Sequence, residues 1–131
     1  MSLLIAVTVF VTPSISIAQE EGVEEKAIYI PINPPFVVNY GGVGRLRYLK
    51  AEITVRVQDT LAADSIRHHL PLIRNNLVLL FSKQLEEDIE TQKGKEKLRL
   101  DALEEVKDIL LAEDEREGVV DLYFESFVIQ R

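Results

Sequence analysis

Between Tyr48 and Gln58 the segment YLKAEITVRVQ places an apolar residue at every second position, Leu49, Ala51, Ile53, Val55 and Val57, with a polar residue after each. Successive side chains of an extended chain point to opposite sides. A period of two held over the ten residues 49–58 therefore describes a strand with one face on a core and the other open to water or a partner. A central strand of a parallel sheet is covered on both faces and reads apolar throughout. The pattern thus requires an antiparallel sheet with helices on one side, an α+β domain.

The flanking segments fill in the rest. Ala27 to Tyr40, AIYIPINPPFVVNY, has strand composition, but Pro31, Pro34 and Pro35 withhold three backbone donors. Such a strand belongs at an edge or is interrupted, and two short pieces are expected, Ile28 to Pro31 and Phe36 to Tyr40. Gly41-Gly42-Val43-Gly44 supplies a hairpin turn into the Tyr48 strand. The same glycines do not make a phosphate cradle, because strand-like residues follow them where a helix N-terminus would be needed. After Asp59-Thr60 the period changes to about three and a half. An apolar stripe runs through Ala62, Ile66, Leu70, Ile73, Leu77, Leu80, Phe81, Leu85 and Ile89. Pro71 divides it into helices over Ala62 to His69 and Pro71 to Glu90, with the proline at the first position of the second. Thr91 is a suitable N-cap for a third helix over Lys93 to Glu113, which carries Leu98, Ala102, Leu103, Val106, Ile109 and Leu110 on one side. Gly118 ends the following turn, and Val119 to Gln130 reads as a last strand. The expected order is β-β-α-α-β, a small antiparallel sheet on two to three helices.

At 131 residues, 47% hydrophobic and 28% charged, the chain suits one domain with its own core. Its formal net charge of -7 argues against nucleic-acid binding, which needs a surplus of lysine and arginine, and against docking on anionic lipid. The absence of cysteine excludes disulfides, thiolate metal sites, cysteine nucleophiles and lipoprotein acylation. Residues 1–19 are uncharged, and Leu3 to Val11 form a nine-residue apolar run broken only by Thr8. That is the length of a signal-peptide core and is too short for a helix to span roughly 30 Å of hydrocarbon. Ser16 and Ala18 fit a cleavage site between Ala18 and Gln19, although no lysine or arginine precedes the run. Residues 1–18 are expected to be a signal peptide or short membrane anchor and 19–27 an acidic linker, ahead of an exported domain over 28–131. A buried first strand would not end in Pro13 and the acidic stretch Glu20 to Glu25.

No catalytic constellation emerges. His68 and His69 are adjacent, about 100° apart on a helix, so they do not converge on one metal ion. Glu86-Glu87-Asp88 and Glu113-Asp114-Glu115 read as solvated helix ends, Gly94-Lys95 lacks the remainder of a P-loop, and no serine stands in a G-x-S-x-G setting. No cofactor, metal or catalytic residue is expected.

Five segments, in order, carry a family resemblance: Pro34-Pro35-Phe36-Val37-Val38-Asn39, Arg47-Tyr48-Leu49-Lys50, Pro71-Leu72-Ile73-Arg74-Asn75, Thr91-Gln92-Lys93-Gly94-Lys95-Glu96-Lys97-Leu98 and Tyr123-Phe124-Glu125-Ser126-Phe127-Val128-Ile129-Gln130. Over Tyr29 to Arg131 the chain resembles the flagellar basal body-associated FliL family. The resemblance implies a periplasmic domain similar to the stomatin-like band (SPFH) domain. It also implies association with the inner membrane and with flagellar motor stator proteins, assembly of copies into a ring, and a non-enzymatic role in swimming or swarming. The family-motif positions it marks are Pro35, Phe36, Asn39, Tyr48, Leu49, Arg74, Gly94, Leu98, Phe127 and Gln130, each either packing or touching a partner. Asn75 departs from the acidic residue the family usually carries beside the arginine. A periplasmic adaptor of the same fold with a client unconnected with flagella is the alternative.

Overall fold

The alternating segment is the middle of a three-stranded antiparallel sheet. In the computed structural model, which describes residues 27–42, 44 and 46–130, β1 (Ile28–Tyr40) and β3 (Val119–Gln130) flank β2 (Arg47–Val57). Between β2 and β3 the chain forms α1 (Thr60–His68), α2 (Leu70–Ser82), the single turn α3 (Glu86–Ile89) and α4 (Gln92–Asp114). The helices lie on one face of the sheet, and Leu49, Ala51, Ile53, Val55 and Val57 beneath them are at most 2% exposed. Their partners in the core are Ala62, Ile66, Ile73, Leu77, Phe81, Ile89, Leu98, Ala102, Val106 and Leu110. The α+β class follows as the alternation requires.

β1 is one continuous strand, not two short pieces. Ile32 pairs with Ile53 and Phe36 with Ala51, so Asn33, Pro34 and Pro35 stand opposite Glu52 alone. The surplus is two residues, an even number, and so it leaves the inside-outside parity of the strand unchanged. Ile30, Ile32, Phe36, Val38 and Tyr40 all remain on the helix side. Pro34 and Pro35 are tolerated because they sit at the bulge, and Pro31, in register opposite Thr54, because it lies on an edge strand, where ladder donors are dispensable. β3 carries two one-residue irregularities, which leave Glu125 and Val120 without partners on β2. Each switches the parity, so its helix side reads Val119, Leu122, Phe124, Phe127 and Ile129.

Asp59 caps α1, its Oδ1 accepting from the Ala62 N–H at 2.8 Å. Pro71 stands in the first turn of α2, where its missing N–H costs nothing. The expected continuation of α2 to Glu90 is not seen. The helix stops at Ser82, and the Gln84 side chain donates to the Leu80 carbonyl at 2.9 Å while its backbone N–H donates to Phe81 at 3.2 Å. These bonds occupy carbonyls that an ending helix leaves open. Leu85 points outward, and α3 returns the chain so that Ile89 is fully buried. Four helices therefore separate β2 from β3 where two or three were expected.

Thr91 is the N-cap of α4 as its sequence position suggests, its hydroxyl accepting from the Gly94 N–H at 2.9 Å. A Cβ on Gly94 would stand 1.3 Å from the Asp88 carbonyl oxygen. The glycine is there to let the α3 backbone approach α4. Arg99 then fastens α4 to β3, with Nη1 donating to Asp121 Oδ1 at 2.5 Å and to the Leu122 carbonyl at 3.0 Å. Burial would push the Asp121 carboxyl up, but the Leu122 N–H and Arg99 outweigh it and hold it below the usual range.

Candidate functional site: the uncovered face of the sheet

Layering the helices on one side leaves the other face of the sheet without cover from another element among the described residues. Its side chains fall into rows set by the strand pairing. At one end Asn39, Tyr48 and Gln130 lie side by side across β1, β2 and β3, and the next row is Val37, Lys50 and Val128. Three motif positions from opposite ends of the domain's sequence thus meet in one row. Val37 is 63% exposed, Tyr48 39% and Val128 44%, and Asn39, Lys50 and Gln130 are exposed as well.

The far end of the same face is occupied by contacts within the chain. Tyr29, Arg56 and Asp121 share a row. The Arg56 guanidinium lies 6.0 Å from the Tyr29 ring centroid, and the Tyr29 and Tyr123 rings are 6.4 Å apart. A hydrogen bond to Tyr123, with Tyr29 nearby, raises the Arg56 pKa further. Asp121 is taken by Arg99. At the other end, by contrast, Lys50 forms no ion pair among the described residues.

The remaining motif positions have packing roles. Phe36, Leu49 and Leu98 are buried in the core. Phe36 meets Phe81 edge-on at 5.5 Å between centroids, and aromatic contacts continue through Phe124 to Phe127, above which the Lys95 ammonium sits 5.3 Å from the ring. Pro35 is in the β1 bulge. Arg74 closes that bulge from α2: Nη1 donates to the Pro34 carbonyl at 2.6 Å, and the guanidinium lies 4.3 Å from the Phe36 centroid. Gly94 serves the α3–α4 approach. Ala18 and Gln19 lie outside the described residues.

Two groups read from sequence as solvated carboxylates are engaged. Glu86 forms an ion pair with Arg47, joining α3 to the start of β2. Asp114 accepts from the Ser65 hydroxyl and stands 3.0 Å from His69 Nε2, tying the α1–α2 corner to the end of α4. These contacts, the Ser65 bond first, hold the Asp114 carboxyl below its ordinary value. The aspartate, not the histidine, accepts from the serine, so the order differs from a Ser–His–Asp triad, and Ser65 itself is buried. His68 packs edge-on against His69. Among the described residues no group of three His, Asp or Glu side chains could hold a metal ion, and no helix is long and apolar enough to cross a membrane.

Sequence reading missed Val37 and Val128 as surface residues. Each belongs to an apolar run, Phe36-Val37-Val38 or Phe127-Val128-Ile129, and only alternation counted from a known pairing shows which member faces out. A profile of the family described as flagellar basal body-associated protein FliL matches residues 29–130. The chain is 31% identical to the flagellar protein FliL of Aquifex aeolicus (strain VF5) over 106 residues, which cover 81% of this chain and 63% of that protein. It is 26% identical to the flagellar protein FliL of Escherichia coli (strain K12) over 117 residues, covering 87% of this chain and 75% of that one. The match thus spans less than two thirds of the Aquifex protein's length.

Proposed function

The chain belongs to the FliL family of flagellar basal body-associated proteins, and from that premise we propose that it is a non-enzymatic component of the flagellar motor that supports the stator in swimming or swarming. In this reading the domain works in the periplasm at the inner membrane, as a ring of copies, with residues 1–18 serving as export signal or short anchor. It binds no nucleic acid and needs no cofactor.

The observation that carries the reading is the division among the motif positions. Phe36, Leu49, Leu98, Gly94 and Arg74 are accounted for by packing and by hydrogen bonds inside the domain. Asn39, Tyr48 and Gln130 have no such role and share one exposed row. A surface of three exposed side chains on a stiff sheet, lacking converging titratable groups, suits protein–protein contact better than chemistry.

The test is a photo-crosslinking amino acid placed at Tyr48 in motile cells, with the same group at Leu100 on α4 as a control. Capture of a stator protein from position 48 but not from 100, together with reduced swarming in a deletion strain, is the expected result. Unchanged motility in the deletion strain and no capture from position 48 would reject the reading.

A further inference from the structure

We propose that the Asn39–Tyr48–Gln130 end of the uncovered sheet face docks an acidic, apolar segment of the partner protein, with apolar side chains over Val37 and Val128 and a carboxylate on Lys50. The inference rests on the reading of this face as the partner surface and specifies the chemistry of what it takes.

Lys50 sets the chemistry of this end of the face. Its two neighbours in the row are valines, Val37 on β1 and Val128 on β3, both well exposed. A wholly apolar partner laid across this row would gain by covering the valines but would strip water from an ammonium left without a counter-charge. A partner bringing a carboxylate to the same spot gains both contacts. The flanking row adds hydrogen-bond capacity, with Asn39 and Gln130 paired on either side of Tyr48 and each carrying a side-chain amide. Glu52 occupies the row on the other side of Lys50, so like-charge repulsion directs the incoming carboxylate toward Lys50 from the Tyr48 side. The far end of the face offers no equivalent position. Arg56 is committed to Tyr29 and Tyr123, and Asp121 to Arg99. The net charge of -7 repels an acidic segment from most of the remaining surface, which favours encounter at this end.

A water-soluble carbodiimide tests this directly, because it activates a carboxylate that a neighbouring amine then attacks to form an amide, with a urea as the leaving group. Treated motile cells are expected to yield an amide between Lys50 Nζ and an Asp or Glu of a stator protein, identified by peptide mass spectrometry. Lys50→Arg keeps the charge and should retain motility while losing the adduct. Lys50→Glu should melt at the wild-type temperature and lower the yield of photo-capture from Tyr48 roughly tenfold, as expected when a pairing becomes a repulsion. An adduct joining two copies of this chain would overturn the inference. So would full photo-capture in Lys50→Glu, which would leave the stator-support reading intact. Absence of photo-capture from Tyr48 in otherwise wild-type protein, together with unchanged motility in the deletion strain, would instead bring down that reading, and this inference with it.

Discussion

On the helix side of β2, Leu49, Ala51, Ile53, Val55 and Val57 are removed from water, in one core with residues of α1, α2, α4 and the neighbouring strands. On the opposite side Tyr48, Lys50 and Glu52 remain exposed, and only toward the far end do Thr54 and Arg56 find partial cover. The backbone and its hydrogen bonds are common to both. The difference shows that a sheet this size needs only one covered face for stability, which leaves the other free to vary or to bind.

The contrast breaks hardest at adjacent residues. Leu49→Ala should cost about 2–5 kcal/mol in denaturant unfolding, since the site is fully enclosed and cannot collapse around the cavity. If it cost less than a surface change, the covered face would not be the core. Gly94→Ala should come next, at about 1–3 kcal/mol, because the new methyl meets the Asp88 carbonyl and forces α3 away from α4. Thermal melts of this variant that matched wild type would show that the close approach is dispensable. Arg74→Ala removes a charge-assisted bond to Pro34 and a ring contact with Phe36, an expected loss of about 1 kcal/mol. Arg74→Lys should recover little of it, because an ammonium cannot stack and donate at once.

Asp114 has a folded pKa below its unfolded one, so its contribution is present above the unfolded carboxylate pKa of about 3.9 and is lost as pH falls through the folded value. Acid unfolding should therefore begin at higher pH in wild type than in Asp114→Asn, once each is referred to its own stability at pH 6. Coincident acid transitions would mean that the Ser65 and His69 contacts do not bias protonation. The smallest effect belongs to the uncovered face. Lys50→Ala should change unfolding free energy by less than about 0.5 kcal/mol, and a larger loss would mean that Lys50 has a structural partner.

Legibility followed the range of the interaction. Asp59 and Thr91 are adjacent to the N–H groups they cap, and Pro71 acts within its own turn, so their positions could be judged from local sequence. Leu85 was misjudged for the same reason. Its spacing from Phe81 and Ile89 suits a helix, and nothing nearby announces that Gln84 will fold back onto Leu80 and Phe81. Glu86 and Asp114 looked solvated among other carboxylates until the fold brought Arg47, Ser65 and His69 to them. Half of the uncovered face was visible in β2 alone. The valines beside Lys50 were not, because Val37 and Val128 lie within apolar runs whose parity is set elsewhere.

The sequence by itself determined that β2 has a wet face and a dry one, that the domain is α+β, and which segments place it in its family. These follow from side-chain alternation and turn chemistry, which act between residues a few positions apart. Only the tertiary structure decided what stands beside Lys50. The even bulge of β1 keeps Val37 outward, and the odd bulges of β3 put Phe124 and Phe127 inward together and leave Val128 and Gln130 outward. Register is fixed by packing between strands remote in sequence, and a shift of one residue would have turned each of these side chains to the opposite face.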